Sequence, residues 1–262
     1  MGHIRLGIQP KSKAWKDVVG LIVAGADVPQ VAHATIAAAE HGFSYVLNDK
    51  GYTDTVWLMT QMAIAAKKQD ILGHLESIGL AIPRDATLPD IAAAISDALE
   101  HNRSDTRTRS ALGTLAGRAL IGAVIDVLSP KVQTLFSSDP DTLKAALYSL
   151  GKQKQFGELS RQFYSRLANE YLQYHLKKVV HGQLGEGMRF ATMNQVAQFD
   201  AAMTTHCWEA SRIVEQFSSE WLSKHRWEEG GDISRESSDG FASYALKKMK
   251  DALRPGAQPD AR

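Results

Sequence analysis

Helix punctuation runs through almost all of this chain and leaves little room for a sheet. Capping residues, apolar residues at 3.6-residue spacing, and glycine or proline stops alternate from Asp27 to Leu253. Asp27 before Val28 and Pro29 marks a helix start, and the alanine-rich helix it opens is expected to run to His41, with Gly42 as its stop. Residues 43–48 (FSYVLN) are the only run of strand-like composition, and Asp49-Lys50-Gly51 reads as a turn. Residues 52–68 carry Val56, Leu58, Met59, Met62 and Ile64 around most of their circumference, the pattern of a central helix. A short helix over 70–78 stops at Gly79. Thr87-Leu88-Pro89-Asp90 resembles a capping box and opens a helix that ends near His101.

The second half is punctuated more clearly. Ala111–Leu128 is largely apolar and stops at Ser129-Pro130, and Ser138-Asp139-Pro140-Asp141 starts the next helix. A long helix is predicted near 156–181, followed by a loop at Gly182, Gly185 and Gly187. Thr192-Met193-Asn194-Gln195 is a second capping box, and from it one helix of about nine turns is predicted near 193–228, ending at Gly230-Gly231. Ser234 caps a last helix over 235–253, and the tail 254–262 is expected to be disordered. No fixed-period repeat is present. The predicted fold is an all-α multi-helix bundle.

A chain of 262 residues suits one large domain or two small ones. Residues 102–108 (NRSDTRT) hold no apolar side chain and form the natural division, giving an N-terminal helical lobe at 1–101 and a C-terminal bundle at 109–253. The two also suit a single continuous domain. Apolar residues at 44% and charged residues at 23% exclude a wholly disordered chain and a multi-span membrane protein. Thirty basic against 29 acidic side chains leave a net charge of +1, too small for any global attraction to nucleic acid or membrane. Cys207 stands alone, so neither an internal disulfide nor a multi-cysteine metal site is available.

The apolar run 18–26 is broken by Gly20 and Gly25 and does not have the form of a signal peptide. Ala111–Leu128 is near the length of a membrane span, but Arg118 and Asp126 would be costly in lipid. A buried helix of a soluble core is the better reading, so the expected compartment is the cytoplasm, without membrane contact.

Catalytic spacings are missing. GxxxxGK[ST], GxGxxG after a strand, HExxH and GxSxG do not occur, and no ExxH pair of the di-iron kind is present. No cofactor is expected. The glycine-rich stretch 181–187 (HGQLGEG) suits either an anion-binding turn or a plain interhelical loop.

Three groups of residues remain as candidates. The first is an interaction surface built on Trp208, Arg212 and Trp227. Trp208 falls on a polar face with Arg212, Glu215 and Ser219, so it is either packed against a second layer or offered to a partner. The second is a basic segment with interleaved tyrosines: Lys152, Lys154, Arg161, Arg166, Lys177 and Lys178 suit nucleic acid, or equally a solvated helix face with Arg166 and Glu170 paired at i,i+4. The third is the pair His175 and His206. Each suits a ligand or metal, or a core histidine satisfied by one partner. His206 is expected on the buried face with Phe199, Ala210, Ile213 and Phe217, and Cys207 at the edge of that face.

The leading functional expectation is a non-enzymatic helical subunit or adaptor of a larger cytoplasmic assembly, bound to a protein partner or to copies of itself. Multi-gene bacterial systems such as phage defence employ proteins of this kind. A nucleic-acid-binding module and an enzyme or sensor with an interhelical site are the alternatives.

Overall fold

The computed structural model describes residues 12–38, 49–101, 110–132 and 140–255. They form α1 (Lys13–Val23), α2 (Val28–Ala38), α3 (Lys50–Ala65), α4 (Ile71–Ser77), α5 (Leu88–His101), α6 (Ala111–Leu128), α7 (Pro140–Ser149), α8 (Gln153–Gly182), α9 (Met193–Ala210), α10 (Arg212–Glu228) and α11 (Arg235–Ala252). A short 3-10 turn at Ser129–Lys131 follows α6. No strand occurs among the described residues, and the isolated bridge between Leu184 and Phe190 is the nearest approach to one. The fold is the all-α bundle that the punctuation predicts. The strand-like run 43–48, the polar run 102–108 and the tail from residue 256 lie outside the described residues.

Caps are made by the residues that chemistry favours. Asp27 Oδ1 accepts from Gln30 N at 2.9 Å, Thr192 Oγ1 from Gln195 N at 3.4 Å, and Ser234 Oγ from Ser237 N at 3.2 Å. At α5 the box closes through its acid: Asp90 Oδ2 accepts from both the backbone N and the hydroxyl of Thr87, at 2.7 and 2.6 Å. Asp49, read from sequence as part of a turn, is instead the cap of α3, accepting from Tyr52 N at 2.9 Å.

The 193–228 segment is two helices rather than one. The break falls at Ser211, whose hydroxyl donates to the Trp208 carbonyl at 2.7 Å. A serine that hydrogen-bonds back into the preceding turn competes with the helix ladder, and the sequence has no glycine or proline there to announce it.

The 30-residue α8 is the axis of the molecule. Against it pack α2, α6, α9, α10 and α11. α3 is buried from Gly51 to Ala65 except at Trp57, and lies against α4, α5, α6 and α11. One hydrophobic cluster runs from Trp15 to Leu253 and includes residues on both sides of 102–108. α6 (with the turn after it) is, among the described residues, the one helix long and apolar enough to cross a membrane by length and composition. Its two charged residues meet α8. Arg118 binds Glu170 with Nε and Nη2 at 3.0 and 2.6 Å, and Arg166 Nε binds Asp126 Oδ2 at 3.1 Å.

Two crossings depend on glycine. A Cβ on Gly113 of α6 would lie 2.8 Å from the Gly51 Cα of α3. On Gly157 of α8 it would lie 2.8 Å from the Glu215 carbonyl of α10. Both obstacles are backbone, so relief requires the helices to separate. Gly113→Ala is therefore expected to cost about 1–3 kcal/mol, as overpacking does. Gly240→Ala, on α11 with open space around the added carbon, is expected to stabilise by about 0.5–1 kcal/mol through helix propensity alone. Denaturant melts of the two variants test the opposite signs.

Candidate functional site

The basic segment is divided by the fold. Arg161 is held inside the bundle: Nη1 donates to Glu215 Oε2 at 2.7 Å, Nη2 to the Trp208 carbonyl at 3.4 Å, and its guanidinium carbon lies 3.9 Å from the centre of the Trp208 ring. Arg166 pairs with Asp126 across the α6–α8 contact, and Glu170, its expected i,i+4 partner, is taken by Arg118. Long side chains choose the partner that tertiary packing brings near, and an interhelical bond relieves burial on both helices at once. Lys152, Lys154, Lys177 and Lys178 are exposed. Lys154 and Lys177 are 23 residues apart on one helix, roughly 35 Å at 1.5 Å per residue. The remaining positive charge therefore sits in two separate groups at the ends of α8.

Trp208 resolves in favour of a second layer. It is half-buried, and Arg161 of α8 stacks on it. This contact joins α8 to the junction of α9 and α10. Arg212, one turn further on, is exposed. Trp227 is 84% exposed at the last turn of α10. Beside it, Arg226 reaches back to the Gly151 carbonyl at 3.3 Å, and Lys224 and Glu228 face solvent. Of the three residues expected at an interaction surface, Trp227 and Arg212 are exposed and Trp208 is half-buried.

His206 corrects the expected phase of α9. The buried row is Val196, Phe199, Met203, Cys207 and Ala210, continued on α10 by Val214, Ser218 and Leu222. Cys207 is at its centre and fully buried, with its thiol pushed up to about 12 by loss of water, which leaves it inert. His206 lies half-buried at the margin, Nε2 at 3.3 Å from the Leu253 carbonyl. Ser211 and Ser218 disguise this row as polar in sequence, yet both are buried, their hydroxyls donating to the carbonyls of Trp208 and Val214.

His175 is half-buried among three aromatic rings: Tyr171 at 4.7 Å, Tyr174 at 5.1 Å and Trp15 of α1 at 5.6 Å, all edge-on. Burial among them lowers the imidazole's pKa below its usual value of 6.5. Trp15 was missed as a site residue. Its signal is the apolar triad Trp15, Val18 and Ile22 at helical spacing, all buried. The two histidines share no ring or hydrogen-bond partner, and no group of three or more metal-binding side chains occurs among the described residues.

The glycine-rich loop uses its own amides. Gly185 N donates to the Phe190 carbonyl at 2.9 Å, Phe190 N to Gln183 at 3.0 Å, and Met188 N to Gly185 at 3.1 Å. Arg189 then clamps the loop to the end of α1, donating to the carbonyls of Ile22 and Ala26 at 2.9 and 2.8 Å.

No family model, curated protein or solved structure matches this chain.

Because Trp208 is an internal contact, Trp208→Ala is expected to lower stability by about 2 kcal/mol, from lost stacking and lost apolar burial. The mass measured by light scattering should stay as in wild type. A changed mass with an unchanged melt would return Trp208 to the interaction surface.

Proposed function

We propose that the protein is a non-enzymatic helical interaction subunit, an adaptor within a larger cytoplasmic assembly, with Trp227 as the anchor for its protein partner. One observation carries this reading: a tryptophan 84% exposed on the last turn of a helix whose other large apolar residues are packed against the core. Exposure of so large an apolar ring is unfavourable in the isolated chain and becomes favourable when a partner pocket covers it. Tryptophan and arginine are the residues that most often dominate binding energy. Exposed Arg212 lies on the same helix, and Lys224 and Glu228 supply the polar rim that surrounds such anchors.

Competing chemistries have less to draw on. Arg161 and Arg166 are committed to Glu215 and Asp126, so of the basic segment 152–178 a phosphate backbone would meet the lysines at the two ends of α8. His175 and His206 have different neighbours and do not form one centre.

Sizing in extract from the source cell tests the proposal. Tagged wild type should run well above its own mass of 28.7 kDa. Trp227→Ala should weaken the association by about thirty-fold, corresponding to roughly 2 kcal/mol, while its melting temperature stays at the wild-type value. Wild type at monomer mass, or equal sizing of the two proteins, would refute it.

A further inference from the structure

α1 is fastened to the bundle in two ways. At its C-terminal end Arg189 grips the Ile22 and Ala26 carbonyls. Along its length it packs mainly on α2, and Trp15 alone reaches the ring cluster on α8. Trp15 is 4% exposed and its indole N–H finds no acceptor among the described residues, so shape and ring contact hold it there. The residue in the middle of that contact is titratable.

We infer that His175 is an acid-sensitive latch for α1: the helix docks on a neutral imidazole and loosens when that imidazole is protonated. The geometry is a half-buried ring set among Trp15, Tyr171 and Tyr174, where a charge would lose part of its water and meet no anion among the described residues. The ionisable groups on the surrounding elements do not supply one. On α1, Lys13, Lys16 and Asp17 are exposed, and α2 contributes only the half-buried His33. On α8, Lys177 and Lys178 are exposed and Glu170 is taken by Arg118 of α6, whose Asp126 binds Arg166; on α11, Lys250 borders the cavity beside Tyr171 and Asp251 pairs with Arg254. On α9, Asp200 accepts from Gln173 at 3.0 Å. Among the described residues none of these bonds to the imidazole. The hydroxyl of Tyr171 is raised to about 12 by burial and stays neutral throughout.

The sign follows from linkage. Burial lowers the docked imidazole's pKa below 6.5, so the undocked state binds more protons once the pH falls through that value. Docking is at full strength above about 6.5, weakens as the pH drops from there to the docked pKa, and changes no further below it. One linked proton changes the opening equilibrium by at most about tenfold per pH unit. The partner surface at Trp227 has no part in this, so latch and adaptor reading can fail separately.

Hydrogen exchange on the full chain, corrected for intrinsic pH dependence, tests the latch at pH 7.5 and 5.5. Amides of α1 should lose up to about tenfold protection at pH 5.5 in wild type, and none in His175→Phe, with α8 protected in both. Protection of α1 that is flat, that rises in acid, or that falls equally in His175→Phe would overturn it. If His175→Phe does not fold, proton NMR of wild type decides. The His175 ring should titrate below 6.5 with the same midpoint as the Trp15 indole N–H signal, and different midpoints, or a His175 midpoint at or above 6.5, would overturn the latch.

Discussion

Three segments far apart in sequence are tied together by one hydroxyl pair. Tyr52 of α3 donates to the Ala242 carbonyl of α11 at 2.8 Å, and its oxygen lies 3.0 Å from that of Tyr164 on α8. Each phenol has one proton. With Tyr52's committed to a carbonyl, Tyr164 must be the donor between them. Both rings are wholly buried, and desolvation raises both pKa values above the usual tyrosine value, so the chain of bonds stays neutral and intact. Around it Phe241 meets Phe156, Tyr164, Phe217 and Trp221, which locks α8, α10 and α11 to one another. A fully satisfied polar link inside an aromatic cluster specifies register, because any slip would strand a hydroxyl in apolar surroundings.

Charge is used in the same way nearer the surface. Arg118–Glu170 and Arg166–Asp126 cross the α6–α8 contact in opposite senses, each helix giving one acid and one base. Arg161 does the same between α8 and α10. At α3 the half-exposed Arg235 binds the buried Asp54 at 2.6 Å. Half-exposed pairs of this sort add modest stability and chiefly fix orientation. Their consequence for function is that the arginines which make α8 look suited to nucleic acid are spent on holding the bundle. What α8 leaves free are lysines at its ends, and what α10 leaves free is Trp227.

Much of the fold was legible before any coordinates. The caps at Asp27, Thr192 and Ser234, the stops at Gly79 and Gly230-Gly231, and the all-round burial of α3 follow from local chemistry and periodicity. The candidate site was less legible. Ser211 and Ser218 hid the buried row of α9 and α10, because a serine that satisfies its hydroxyl on its own helix packs like a small apolar residue. This exchanged the expected places of His206 and Cys207. Trp208 and Trp227 look alike in sequence, each an aromatic among charged neighbours, yet one is covered by Arg161 and the other is bare.

The sequence by itself determined the helical class, most helix ends and the absence of the common catalytic spacings, since these depend on neighbours within a few residues. Only the tertiary structure decided which charges pair, which tryptophan is free, and that three aromatic rings gather around His175. Those outcomes depend on side chains 40 to 181 positions apart, from Arg166 with Asp126 to Arg235 with Asp54. Helical periodicity assigns a residue to a face, but the identity of what meets that face is set by how the helices cross.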